Sequence, residues 1–166
     1  MAEQLTEEDI RKIEDEINER KSVIRPKLIA DVKEAREQGD LSENFEYYAA
    51  KKAKNENEGR IRYLERMLKG AVVISDASKE DEVGLNNTVT LYFEEDDEEM
   101  SLKIVTSIRS DSLENRVSHE SPIGKAVLGH KVGDRVEVRV NPEYSYHVII
   151  RSIDKTTTGD DEIQKF

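Results

Sequence analysis

Cysteine is absent from the sequence. That excludes disulfides and thiolate metal sites, and it suits a reducing compartment. Long apolar runs are absent as well. None near the N-terminus has the make-up of a signal peptide, and none elsewhere is long enough to span a membrane. A soluble, cytoplasmic protein with no membrane partner is expected. Apolar residues are sparse: 36% of the 166 residues, against 38% charged. This is little apolar material for a compact domain, and an elongated helical piece that buries one stripe per helix accounts for it. An excess of positive charge is lacking too, the formal net charge being −11. Residues 1–70 carry 15 basic and 17 acidic side chains, and residues 71–166 carry 11 and 20. Most of the surface therefore disfavours a nucleic-acid backbone. A positively charged protein partner fits better, with nucleic acid met only locally. The three histidines show no metal-ligand spacing. No nucleophile–base pair and no phosphate-binding glycine loop is recognisable. The chain alone does not read as a complete enzyme.

What is present begins with Thr6-Glu7-Glu8-Asp9, a helix start with a capping hydroxyl and acids in the first turn. Ile10, Ile13, Ile17, Ile24, Leu28, Val32 and Ala35 then keep one apolar face for about seven turns. Pro26 interrupts this face without changing its phase, which predicts a kinked helix over 9–38, about 45 Å long. Gly39 ends it. A second helix is expected to begin within 40–43 and to run to Gly70. Its apolar stripe holds Tyr47, Ala50, Ala53 or the stem of Lys54, Ile61, Leu64 and Leu68, and Asn57 lies on the same stripe as a polar residue that can set register. The short connection makes the two helices antiparallel.

From about residue 75 the apolar period changes from 3.6 to 2. Ala71–Ile74, Thr88–Phe93, Ser101–Ile108, Arg135–Val140 and Tyr146–Ile153 read as strands. Ser121-Pro122 through Gly129 reads as one short capped helix. Residues 110–120 carry no clear pattern, and 156–166 read as a frayed tail. Two domains follow, 1–74 and 75–166.

The connection between the helices carries the chemistry. Asp40 and Glu43 are three residues apart, a spacing that shares one side of a helical turn. Their hard oxygens suit Mg²⁺, but two carboxylates are only part of its six-ligand shell, so a partner must supply the rest. The alternative is a helix start in which Asp40 or Ser42 caps and Glu43 or Glu46 meets the dipole. Lys51 and Lys52 follow within about two turns and can meet phosphates. The wider basic set on this helix can equally pair with acids of the first helix. Phe45, Tyr47 and Tyr48 can stack on a base, or at least two of them can plug the gap between the helices.

Ala35-Arg36-Glu37-Gln38-Gly39-Asp40-Leu41-Ser42-Glu43-Asn44-Phe45-Glu46-Tyr47, followed by Glu58-Gly59-Arg60-Ile61, resembles the hairpin of the bacterial GreA/GreB transcript cleavage factors. Ser121–Gly129 and Lys131-Val132-Gly133-Asp134 resemble their C-terminal signature. The resemblance leans towards GreA. It implies an N-terminal antiparallel coiled-coil hairpin and a C-terminal FKBP-like α+β domain, with an antiparallel sheet and one short helix. It implies a monomer whose partner is bacterial RNA polymerase. The C-terminal domain would dock at the rim of the secondary channel, through Ser121, Pro122, Ile123 and Gly124. The hairpin would reach the active centre, where Asp40 and Glu43 share a Mg²⁺ with the polymerase and promote cleavage of backtracked RNA. Lys51 and Lys52 would meet the nascent RNA 3′ end. Three other readings compete. One is a divergent paralogue that binds the same channel and regulates or inhibits polymerase without cleavage. Another is an FKBP-like isomerase or chaperone, against which the few aromatics after position 100 argue. The third is a structural coiled-coil adaptor.

Overall fold

The computed structural model describes residues 2–39, 44–156 and 161–164. The chain divides into two compact units, one over residues 1–73 and one from 74 onwards.

The first unit opens with strand β1 (Gln4–Leu5), which pairs in parallel with β2 (Val72–Val73). β2 is the centre of the strand expected over Ala71–Ile74, whereas the two residues of β1 carry no legible pattern. Helix α1 (Glu7–Glu19) starts on a capping box. Thr6 Oγ accepts from the Asp9 amide at 3.1 Å, and the Asp9 carboxylate accepts from the Thr6 amide at 3.0 Å. A π-helical turn over Arg20–Ile24 leads into α2 (Arg25–Glu37). The expected kink is thus a π turn just ahead of Pro26. Proline has no N–H for the carbonyl one turn back and its ring crowds that carbonyl. A wider turn, in which the Arg25 amide donates to Arg20 O, relieves the crowding. The apolar stripe crosses this turn in phase, and every one of its seven members is buried or half-buried.

Helix α3 (Phe45–Lys69) returns alongside α1 and α2. Its buried residues are Asn57, Arg60, Ile61, Leu64 and Met67, so Met67 rather than Leu68 fills the last stripe position. Polar side chains lock the register. Glu16 accepts from Arg20 Nε at 2.7 Å and from Arg60 Nε at 2.8 Å, while Arg25 and Glu58 form a two-pronged pair at 2.7 and 2.9 Å. Among the described residues, no helix is long and apolar enough to cross a membrane.

The second unit is a five-stranded sheet in the order β5-β4-β3-β7-β6, with strands β3 (Thr88–Phe93), β4 (Glu98–Val105), β5 (Arg116–Ser118), β6 (Arg135–Asn141) and β7 (Tyr144–Asp154). All neighbours are antiparallel except β4 and β5. This parallel edge strand comes from residues 110–120, and 3₁₀ turns at Ser107–Arg109 and Ser112–Glu114 carry the chain back beside β4. β4 begins three residues earlier than the alternation suggests. Its first residues, 98–101, are all exposed, so neither face carries an apolar signal. Val89 and Leu91, Leu102 and Ile104, Val136 and Val138, and Val148 and Ile150 form one buried face. Helix α4 (Pro122–Val127) covers it through Val127 and Ile123. Each such aliphatic side chain contributes about 1.5–3 kcal/mol on full burial. Nor are residues 161–164 a free tail: Asp161 sits among three cations, and the Gln164 amide donates to Ile108 O. Burying that carboxylate is compensated by its ion pairs, a long-range partnership that local polarity does not reveal.

Candidate functional site

The connection from α2 to α3 is built from both ends. The Gln38 amide donates to Ala35 O, and Gly39 then takes φ +134°, a conformation that a side chain disfavours. On the far side Asn44 caps α3. Its Oδ1 accepts from the Tyr47 amide at 3.0 Å, and its Nδ2 donates to Ala35 O at 2.6 Å. One side chain therefore starts the second helix and ties it to the end of the first. Ala35, 5% exposed, is small enough to allow the approach.

The helix does not begin within 40–43 as expected, and neither Asp40 nor Ser42 is its cap. A carboxylate can accept from Tyr47 but cannot also donate to Ala35; the asparagine amide does both. Asp40 and Glu43, the two proposed metal-binding acids, lie outside the described residues, as do Leu41 and Ser42. Among the described residues no cluster of three or more His, Asp or Glu is arranged to hold a metal.

The first turns of α3 are open to solvent. Phe45 is 86% exposed and Tyr48 52%. Of the three aromatics only Tyr47 is half-buried, with the Arg36 guanidinium 5.8 Å from its ring centroid and the Tyr48 ring edge-on at 5.5 Å. The expectation that two aromatics plug a gap fails, because the Asn44–Ala35 bond has already closed it. Lys51 is exposed and makes no ion pair among the described residues. Lys52 is exposed and stands 3.9 Å from Glu56 on its own helix. Farther along α3, Arg60 turns to Glu16, and Glu65 receives Lys21. The basic set thus divides: Arg60 braces the hairpin, and Lys51 and Lys52 are exposed near the turn.

Ser121, Pro122, Ile123 and Gly124 all find work in the fold itself. Ser121 Oγ donates to Ser118 O at 2.5 Å and accepts from the Gly124 amide at 3.1 Å. Ile123 packs against the core. A Cβ on Gly124 would fall 2.1 Å from the Ser118 carbonyl oxygen, so glycine is dictated by backbone proximity. Pro122 begins the helix and is the exposed one of the four.

One cluster escaped the sequence. Lys103, Arg109 and Arg116 converge on Asp161. Separations of 45 to 58 residues leave no local pattern, and an unpaired-looking acid in a polar tail was the only trace.

The family model for transcription elongation factors, N-terminal part, matches residues 3–73, and the GreA/GreB C-terminal model matches 77–155. The transcription elongation factor GreA of Thermoanaerobacter pseudethanolicus is 47% identical over 137 residues, covering 82% of this chain and 87% of that protein. The factor of the same name from Streptococcus pneumoniae serotype 19F is 42% identical over 153 residues, 92% of this chain and 95% of that one. Among solved structures, the GreA factor homolog Gfh1 of Thermus thermophilus is 26% identical, with coverage of 92% of this chain and 99% of that one and a TM-score of 0.44.

Proposed function

The chain belongs to the GreA/GreB family of transcription elongation factors, and from that premise we propose that it rescues arrested RNA polymerase by stimulating cleavage of backtracked RNA. In this reading it is an accessory factor. It works as a cytoplasmic monomer, and the polymerase supplies the active centre. The second unit docks at the rim of the secondary channel, and the hairpin carries residues 40–43 towards the RNA 3′ end.

Two carboxylates in that connection, Asp40 and Glu43, would help hold a Mg²⁺ that is otherwise bound by the polymerase. Their oxygen donors fit this hard cation, and their small number fits a shared site better than a private one. When bound, such an ion activates water and steadies the leaving oxygen of a phosphodiester. The chain's own contribution is positional. Asn44 fixes where the connection meets α3, Lys51 and Lys52 offer exposed positive charge to RNA phosphates, and Phe45 and Tyr48 offer exposed rings to a displaced base.

The observation that carries this reading is the braced turn itself. The Asn44–Ala35 bond holds both ends of an acid-bearing segment, beside cations that the hairpin does not consume. The isomerase or chaperone reading finds no support in either family match. The non-cleaving paralogue is distinguished by experiment. A stalled, backtracked elongation complex with Mg²⁺ is incubated with and without the protein. Shortened RNA that resumes elongation is expected. Intact RNA with slowed elongation would replace cleavage by inhibition.

A further inference from the structure

The GreA/GreB match on the second unit ends at residue 155, and the chain beyond it places a carboxylate on a cationic cluster. Asp161 accepts from Lys103 Nζ at 2.6 Å and from Arg109 Nη1 at 3.1 Å, and lies 3.9 Å from Arg116 Nη1. Lys103 and Arg116 occupy paired positions on β4 and β5. Arg109 is 3% exposed in its side chain.

The cations have other anchors. Arg109 also donates to Asn86 Oδ1 and, at 3.4 Å, to Thr106 Oγ1. Arg116 Nε donates to the Arg109 carbonyl at 2.9 Å, and its Nη2 stands 3.8 Å from Asp111. These contacts give both guanidinium groups anchors other than Asp161. Beside Asp161 lies an open polar cavity of about 370 Å³, bordered by Lys103, Asn115, Arg116 and Thr156, with Glu114 as the second acid on its wall. Asp161 lines this space without filling it.

We propose that this cavity is an oxyanion site for a phosphate group, that Asp161 is its intramolecular occupant, and that bound phosphate and docked Asp161 exclude one another. Guanidinium forks and a lysine ammonium recognise carboxylate and phosphate by the same geometry. Phosphate is the better match here. It brings more charge than one carboxylate and presents acceptors in three directions, towards Lys103, Arg109 and Arg116. Asn115 and Thr156 add neutral polar groups. Binding would release residues 161–164, including the Gln164 amide from Ile108 O.

The test uses the full chain, Asp161→Ala and Asp161→Asn, titrated with inorganic phosphate and with pyrophosphate at constant ionic strength. Calorimetry reads affinity, and hydrogen exchange reads the Gln164 amide. Both variants remove the competing charge, and Asp161→Asn keeps the side-chain shape should alanine disturb folding. Either is expected to bind about tenfold more tightly than the parent. Adding Lys103→Gln should erase that gain. In the parent, phosphate should speed exchange at Gln164. Preference for orthophosphate assigns the site to the free ion, and preference for pyrophosphate assigns it to a phosphate carried on a larger molecule. Equal affinity in parent and both variants, or a gain that survives Lys103→Gln, overturns the proposal.

Discussion

Asn57 on α3 holds Arg20 twice across the hairpin. Its Oδ1 accepts from Arg20 Nη1 at 2.9 Å, and its Nδ2 donates to the Arg20 carbonyl at 3.3 Å. That carbonyl belongs to the π turn and also receives the Arg25 amide. A polar residue on a coiled-coil stripe ordinarily sets register at a cost in stability. Here the cost is offset, because both polar atoms of 4%-exposed Asn57 are hydrogen-bonded, one to the Arg20 side chain and one to the second acceptor position of the Arg20 carbonyl. Asn57→Leu is therefore expected to lower hairpin stability by about 1–2 kcal/mol, measured by urea unfolding. A leucine variant as stable as the parent would mean that the turn needs no such partner.

Glu16 predicts an acid-sensitive hairpin. Burial alone would raise its carboxyl, but hydrogen bonds from Arg60 and Arg20, together with their charges, hold it below the ordinary 4.5. A carboxyl lowered in the folded state contributes stability that is complete above its unfolded value and is lost as pH falls through the folded one. The loss should begin near pH 4.5 and proceed downwards. Glu16→Gln should cost about 1.5–3 kcal/mol at neutral pH and flatten this part of the stability profile, followed by melting at a series of pH values. The same acid limb in both proteins would remove Glu16 from the account.

Ser121–Gly124 allows the fold role to be separated from the proposed docking role. Gly124→Ala sets a Cβ against a carbonyl oxygen that belongs to the main chain and has no rotamer to yield. A loss of about 1–3 kcal/mol is expected from the overpacking. Pro122→Ala changes an exposed residue and should leave stability within about 0.5 kcal/mol, while weakening association with polymerase in a competition assay. Unaltered association would move the docking surface elsewhere in the second unit.

These substitutions also show what could be read without coordinates. The isoleucine stripe of the first helix, the valine alternation of β6 and the Ser121-Pro122 helix start are local patterns, and each forms the element that it implies. What escaped depends on partners distant in sequence. β5 has three residues and no apolar alternation, and Asp161 meets cations 45 to 58 residues away. The start of α3 escaped for a subtler reason. Asp40, Ser42 and Asn44 are all good caps by type, and the helix starts on Asn44, whose amide accepts from the Tyr47 amide and donates to Ala35 O.

That choice of cap separates binding from chemistry at the turn. Lys51 stands on α3 and is exposed, so Lys51→Gln should leave the hairpin folded and remove one phosphate contact. Its defect should shrink at higher factor concentration and at lower salt, because a screened charge contact governs occupancy. Asp40→Asn and Glu43→Gln remove ligands from the proposed shared metal. Their defect should persist at saturating factor, with cleavage slowed by about a hundredfold or more, the scale seen when a group stabilising the transition state is removed. Raising Mg²⁺ should restore part of the rate in either acid variant and none in Lys51→Gln. Cleavage rates measured on the backtracked complex against factor and Mg²⁺ concentration distinguish the two classes. Full-rate cleavage by Asp40→Asn at saturation would leave the acids without a metal role and return residues 40–43 to a purely structural connection.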